Sequence, residues 1–182
     1  LEDDYSFLSQ DGLIKAVNML GTAKERIAKD NEWCGLFLDD YPDAEFVQLQ
    51  VNYLDWESEW SQSRACYEVA QKHGKPVMVM EPVRGGALVN LPGEALELLP
   101  DGSPASYAIR YAAGFEDIVM VLSGMSNMEQ MEDNISYMAD FKPLSAEEHE
   151  AIEKVRTLYQ AQNKIPCTAC RYCVDGCPAG IP

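Results

Sequence analysis

The chain has 182 residues, 47% of them hydrophobic, and its 30 acidic residues outnumber 14 basic ones, which gives a formal net charge of −16. This composition is typical of a globular chain that buries one moderate core, and not of a disordered or fibrous one. Because the basic residues are few and scattered, we expect no nucleic-acid partner. No apolar stretch approaches the roughly twenty residues of a membrane helix, so we expect no membrane span.

The first residues, 1–7, lack the basic start and apolar core of a secretory signal. The thiols are therefore expected to stay in a reducing compartment, which predicts a cytoplasmic location. In such a compartment the six cysteines of the chain indicate metal binding or catalysis rather than disulfides.

The amino-terminal part of the chain is the least informative. Within residues 1–45 an acidic stretch at 39–43 predicts a turn, and a helical spacing of apolar residues precedes it. The residues that carry this spacing are Leu13, Val17, Leu20 and Ile27. Residues 46–53 alternate between apolar and polar side chains, which predicts a strand with one polar face. A helix over 61–73 follows, with Cys66 as a buried structural cysteine on its apolar face.

Strand and helix continue to alternate after this point. Further strands are predicted over 76–81 and 118–124, and the helix between them begins at Ser103-Pro104 and ends near Gly114. Each return to a parallel strand needs a crossover of a dozen or more residues. The order of elements therefore predicts an α/β fold with parallel strands.

Two capping boxes open the last two predicted helices. Ser126 with Glu129, and Ser145 with Glu148, place a hydroxyl and a carboxylate three residues apart in front of an apolar periodicity. The first of these helices carries an apolar stripe that is expected to pack in the core. The stripe consists of Met128, Met131, Ile135 and Met138.

Four of the six cysteines lie within eleven residues near the end of the sequence: Cys167, Cys170, Cys173 and Cys177. The spacing of two, two and three intervening residues, followed by Pro178, is that of bacterial ferredoxins, whose thiolates hold a 4Fe-4S cluster. A structural zinc site is the alternative, but zinc knuckles use two ligand pairs separated by a longer loop. In two-cluster proteins the fourth cysteine of such a run ligates the other cluster, so the number of clusters, one or two, stays open.

With these elements placed, three segments resemble the last three strands of the aldo/keto reductase barrel, and the tail resembles that of the family's iron–sulfur branch. The segments are FVQLQVNYLDW, KPVMVMEPVRGGAL and VLSGMSNMEQMEDN, followed by IPCTACRYCVDGCP. The resemblance implies a partial (β/α)8 TIM barrel over 46–163, made of its last three strand–helix units. A poorly defined helical segment, 1–45, precedes it, and a short ferredoxin-like 4Fe-4S segment, 164–182, follows.

The resemblance also implies that a nicotinamide dinucleotide binds at the carboxyl ends of the strands, with its phosphates near a helix amino terminus. Position by position, the implied contacts are Gln50, Met80, Glu81, Pro82, Gly85, Gly86, Leu88, Gly124, Met125, Ser126, Gln130, Asp133 and Asn134. Many family members place Lys or Arg where this chain has Gly124, Ser126 and Gln130, to hold the 2′-phosphate of NADP. The choice between NAD and NADP therefore stays open.

The implied activity is that of an oxidoreductase, but the family's catalytic Asp, Tyr, Lys and His lie in the half of the barrel that this sequence does not match. The chain is therefore expected not to reduce carbonyls alone. The alternative is a non-catalytic electron-transfer or interaction module that carries a 4Fe-4S cluster and serves a redox protein partner. Because a half-barrel exposes strand edges and apolar surface, either reading predicts a homo-oligomer or a need for the missing barrel half.

Overall fold

The computed structural model describes residues 31–99, 102–161 and 174, together with the backbone of 16–18 and 30. In this part of the chain the strands are β1 (Ala16–Asn18), β2 (Phe46–Gln50), β3 (Val77–Met80) and β4 (Ile118–Val121). The helices are α1 (Asp30–Asp40), α2 (Ser63–Lys72), α3 (Gly93–Leu96), α4 (Pro104–Ala113), α5 (Met128–Met138) and α6 (Ala146–Ala161). None of these helices is long and apolar enough to cross a bilayer.

The four strands form one sheet in the order β1-β2-β3-β4, and every neighbouring pair is parallel. Val47 pairs with Val77, and Val79 pairs with Val121. Each crossover between neighbouring strands contains at least one helix, as parallel pairing requires. The predicted α/β fold with parallel strands is confirmed. The sequence pattern predicted three of these strands, and the structure adds β1 before them.

Two apolar clusters make up the core of the described residues. In the first, β2 and β3 bury Val47, Leu49 and Val79 against α1 and α2. In the second, Leu88 and Ile152 pack with residues of α4 and of the loops that follow β2 and β3. Each fully buried side chain of this size contributes roughly 1.5–3 kcal/mol relative to its exposed state. The second cluster lies directly beneath the loop that follows β3, so packing supports that loop.

Local sequence signals set several of the helix ends as predicted. Gly74 has a φ of 63° just after α2, where a glycine avoids the cost of a left-handed backbone. Ser103 caps α4 by accepting a hydrogen bond from the Ser106 amide at 3.2 Å. In the box before α6, the Glu148 amide donates to the Ser145 hydroxyl at 3.2 Å, and the Ser145 amide donates to Glu148 at 2.7 Å. This second predicted capping box is confirmed.

Two of the local predictions were wrong. Val17, assigned to a helical pattern, lies in β1, because pairing with Val47 of β2 overrides the local periodicity. The other residues of that pattern, Leu13, Leu20 and Ile27, lie outside the described residues. The stripe on α5 does not pack in the core: Met128 is 65% exposed and Ile135 is 55% exposed, and α5 has no buried residue. Helical periodicity identifies the apolar face of a helix, but it does not show whether another element covers that face.

Candidate functional site

The carboxyl ends of β2, β3 and β4 lie along one edge of the sheet because the strands are parallel. Gln50, the last residue of β2, pairs with Met80, the last residue of β3. The Leu122 amide, just past β4, donates to the Val79 carbonyl at 2.8 Å. Three loops therefore leave the sheet side by side, at the edge where ligands of open α/β sheets and barrels bind.

A buried polar cluster ties the first two loops together. The Asp55 carboxylate accepts hydrogen bonds from Gln50 Nε2 at 2.7 Å and Asn52 Nδ2 at 2.9 Å. It also accepts from Arg84 Nε, at 3.0 Å to Oδ2 and 3.1 Å to Oδ1. Asn52 is fully buried, and Asp55 and Arg84 are 7% and 6% exposed. Each buried charge thus has a partner, as the cost of desolvation requires.

Asn52 is central to this cluster because both the oxygen and the nitrogen of its side-chain amide form hydrogen bonds. Its Oδ1 accepts from the amides of Leu54 and Asp55 at 3.1 and 2.9 Å, which closes a tight turn after β2. Its Nδ2 also donates to the Glu81 carbonyl at 3.1 Å, across to the loop that follows β3. Asn52 was predicted to lie on a polar strand face, and its burial is explained by these long-range partners.

The loop over 81–90 has an unusual backbone. Glu81 and Arg84 have φ values of 54° and 52°, in a region that residues other than glycine rarely adopt. Gly85 and Gly86 follow with φ values of 58° and 88°. The Gly85 amide donates to the Glu81 carboxylate at 2.5 Å. The Arg84 guanidinium also reaches the Tyr159 hydroxyl at 3.5 Å. Such backbone strain persists where the surroundings hold it, and it is concentrated at functional sites.

The loop after β4 leads into α5 through a different cap from the one predicted. Asn127, not Ser126, is the N-cap, and its Oδ1 accepts from the Gln130 amide at 2.9 Å. The Gln130 side chain in turn accepts from the Ser126 amide at 2.7 Å. The predicted capping box of Ser126 and Glu129 was wrong by one position. Asparagine is as good an N-cap residue as serine, and glutamine can take the place of glutamate three residues after the cap.

Between the 81–90 loop and this cap lies an open cavity of about 630 Å³. Seven of the thirteen predicted contacts line it: Gly85, Gly86, Gly124, Met125, Gln130, Asp133 and Asn134. Hydrogen bonds hold two pairs of polar side chains in the cavity lining. Ser103 donates to Asp133 Oδ2 at 2.6 Å, and Asn134 donates to the Ser123 hydroxyl at 2.7 Å. Its volume lies within the range of small-molecule sites.

Six predicted contacts do not line this cavity: Gln50, Met80, Glu81, Pro82, Leu88 and Ser126. Gln50 and Glu81 take part in the hydrogen bonds that hold the loops after β2 and β3. Leu88 is fully buried in the second core cluster, which gives it a packing role under the loop. Ser126 belongs to the cap of α5 through its backbone.

Sequence reasoning missed several lining residues. These are Val83, Val89, Asn90, Ser103, Ala105, Ile109, Ser123, Asn127 and Glu129. Ser103 and Asn127 were detectable in principle, because both are N-cap residues and helix amino termini are common parts of anion sites. Two of the apolar members, Ala105 and Ile109, come from α4, which folds against this edge of the sheet only through long-range packing.

The cysteines of the chain fall into two groups. The predicted cluster ligands, Cys167, Cys170, Cys173 and Cys177, lie outside the described residues. Cys34 and Cys66 are buried in the first core cluster, as predicted for Cys66. Burial raises the pKa of the Cys34 thiol to about 11, so it stays protonated. Within the described part of the chain no group of three or more His, Cys, Asp or Glu side chains could hold a metal ion.

Comparison with known proteins finds similarity to the Aldo/keto reductase family. The Aldo/keto reductase family profile matches residues 94–157, a span that contains α4, β4, α5 and part of α6. No curated protein matches the sequence. Among solved structures, the holo form of the aldo-keto reductase AKR11C1 from Bacillus halodurans is similar at 23% identity and a TM-score of 0.50. It aligns over 65% of this chain and 46% of that one.

The apo form of the same Bacillus halodurans protein has 19% identity and a TM-score of 0.50, and aligns over 77% of this chain and 59% of that one. At this level of identity the likeness establishes the α/β fold. The chain thus spans about half the length of the solved structures it resembles.

Proposed function

We propose that this chain is the nicotinamide-dinucleotide-binding part of an aldo/keto reductase-like oxidoreductase. The observation that carries the proposal is the cavity at the carboxyl ends of β3 and β4, which gathers seven residues that the family resemblance implies as cofactor contacts. The family profile matches the segment that supplies five of these seven residues, Gly124 to Asn134. Barrel enzymes bind phosphates at this same end of their last strands.

In this proposal the two loops hold opposite sides of the cofactor. Gly85 and Gly86, both at positive φ, allow the backbone of the 81–90 loop to approach the pyrophosphate closely. Gly124, Gln130 and Asn134 face the adenosine end. The dinucleotide would supply a hydride, and Gln50, fixed by Asp55, would orient the nicotinamide. The loops are held by the Asp55 and Arg84 pair before any ligand arrives.

The fold belongs to the same proposal. Four parallel strands in sequential order form one continuous part of a closed parallel barrel, and eight such strands complete a TIM barrel. We infer that this sheet is part of such a barrel, which strands outside the described residues would complete. The catalytic acid and base groups of a carbonyl reductase would come from that part of the barrel.

We further propose that the carboxy-terminal run holds a 4Fe-4S cluster through Cys167, Cys170, Cys173 and Cys177. The support is the ferredoxin spacing and the proline that follows it. Such a cluster transfers single electrons and would exchange them with a redox protein partner. Iron and acid-labile sulfide analysis of the anaerobically prepared protein tests this part, and zinc in place of iron would contradict it.

The nucleotide half of the proposal can be tested by filling the cavity. A Cβ on Gly124 would meet nothing within 4 Å, and Gly124 lines the cavity, so Gly124→Leu adds side-chain volume at the cavity lining. We expect this variant to bind NADH or NADPH at least tenfold more weakly than the wild-type chain, measured by nucleotide fluorescence. Each tenfold step corresponds to about 1.4 kcal/mol of binding free energy.

Gly93→Leu is the matched control, because Gly93 is equally open but begins α3, away from the cavity. Its affinity should equal that of the wild type. If neither nucleotide binds the wild-type chain, or if both variants weaken binding equally, the proposed site is wrong. An intact iron–sulfur cluster without nucleotide binding would favour the alternative function, a non-catalytic electron carrier.

A further inference from the structure

The charged side chains that line the cavity are all acidic. Glu129 and Asp133 line it from the first turns of α5, and no lysine or arginine of the described residues lines it. Two arginines on neighbouring elements form ion pairs with carboxylates outside the cavity lining. Arg84 pairs with Asp55 in the buried cluster, and Arg110 of α4 pairs with Glu148 at 2.6 Å. A ligand in the cavity therefore meets carboxylates and amides, without a free guanidinium among the lining groups.

Glu129 also changes the potential at the start of α5. The amino terminus of a helix carries roughly half a positive charge, which attracts phosphates. Glu129 lies in the first turn of α5 and is exposed on the cavity side, so its carboxylate offsets this positive end. The feature that most often favours a phosphate at such a position is thereby weakened.

We propose that this cavity selects NAD(H) over NADP(H), with Glu129 as the specificity-determining residue and Asp133 in support. This inference depends on the proposed nucleotide site. The two cofactors differ only in the 2′-phosphate, which adds a charge of about −1.5 to −2 near neutral pH. A 2′-phosphate bound beside Glu129 and Asp133 is repelled by these acidic side chains. The 2′-hydroxyl of NAD(H) is instead a donor that a carboxylate can accept.

The test compares the dissociation constants of NADH and NADPH on the full chain by fluorescence titration. We expect NADH to bind at least about tenfold more tightly at low ionic strength, and the ratio to shrink as salt screens the repulsion. Glu129→Lys should shift the ratio toward NADPH by about tenfold or more, since it replaces a repulsive charge with an attractive one. Glu129→Gln should give part of this shift.

Glu132→Lys is the matched control. Glu132 is exposed on the same helix, and its substitution by lysine changes the charge by the same amount. Glu132 does not line the cavity. Its ratio should stay within about twofold of the wild type, because exposed charges farther from the ligand are screened. Circular dichroism confirms that each variant folds.

The outcomes separate the inference from the proposed function. Tighter NADH binding together with a shift in Glu129→Lys alone supports both. Equal binding, tighter NADPH binding, or the same shift in both lysine variants overturns the inference while the nucleotide site stands. Absence of binding by either nucleotide overturns the proposed site and the inference with it.

Discussion

The two walls of the cavity differ in how they are held. On one side, the loops after β2 and β3 are fixed by Asp55, Asn52 and Arg84, all at most 7% exposed, and the buried Leu88 packs beneath them. On the other side, α5 has no buried residue, and Val119 of β4 is 61% exposed. One wall is part of the core, whereas the other rests on elements that bury little apolar surface.

This difference shows that a single site can combine an internally stabilised wall with one that needs outside support. Most of the stability of a helix in a protein comes from packing its apolar face, and the described residues leave the apolar face of α5 largely exposed. Apolar residues on an edge strand and a neighbouring helix together form a surface that favours association. We therefore expect β4 and α5 to pack against a second copy of the chain or against the rest of a barrel.

The largest effect is expected from breaking the buried pair on the fixed wall. Asp55→Ala leaves the buried Arg84 guanidinium without a negatively charged partner, which should lower the free energy of unfolding by about 3–5 kcal/mol. Chemical denaturation monitored by circular dichroism measures this. Arg64→Gln is the control, because Arg64 and its partners Glu57 and Glu68 are about half exposed and should matter little. Similar losses in the two variants would show that the cluster does not hold the loops.

The second prediction compares matched apolar truncations on the two walls. Leu88→Ala removes a fully buried side chain and should cost about 2–5 kcal/mol, because it leaves a cavity in the second core cluster. Ile135→Ala on α5 should change stability by less than about 0.5 kcal/mol, because Ile135 is more than half exposed. Thermal unfolding of both variants gives the two values. If Ile135→Ala proves as costly as Leu88→Ala in dilute solution, α5 is packed in the isolated chain.

The sequence predicts features that depend on near neighbours in the chain better than features that depend on distant ones. The capping box of Ser145 and Glu148 and the burial of alternate residues in β2 were predictable, because both depend on neighbours within a few positions. The burial of Asn52 and the pairing of Asp55 with Arg84 were not, because the partners lie 29 residues apart and meet only after the strands align.

The site itself was predictable in part. Family resemblance supplied Asp133 and Asn134, which line the cavity, but also Leu88, which is buried under the loop. Ile109 was missed because it enters the cavity wall from α4, whose position depends on tertiary packing. Position-by-position transfer finds the segments that form a site, but it does not show which side chains in them face the ligand.

A smaller effect is expected from the ion pair that joins α4 to the start of α6. The hydrogen bond from Arg110 holds the pKa of Glu148 below its usual value. Because the folded-state pKa is lowered, the pair contributes stability above the ordinary glutamate pKa and loses it as pH falls through the lowered one. Glu148→Gln should cost about 1–2 kcal/mol at pH 7. The gap between wild type and variant should close on acidification, and a gap that is constant from pH 7 to pH 3 would contradict this.

The smallest effect on folding, with a clear effect on association, is expected on α5. Ile135→Glu places a charge on the uncovered apolar stripe, so it should leave monomer stability nearly unchanged and weaken self-association. Sedimentation or light scattering over a range of concentrations measures the association. Glu132→Gln, on the same helix but outside the stripe, is the control. A wild-type chain that stays monomeric at all concentrations would exclude a second copy as the cover of this surface.

Hydrogen–deuterium exchange with and without NADH shows whether a nicotinamide dinucleotide occupies the cavity between the two walls. Binding should slow exchange in residues 83–90 and 123–134, with the larger change in the second segment, which is held less firmly before binding. Helix α1 should not change. Protection confined to α1 and α2, or no protection at saturating nucleotide, would show that the nucleotide does not occupy this cavity.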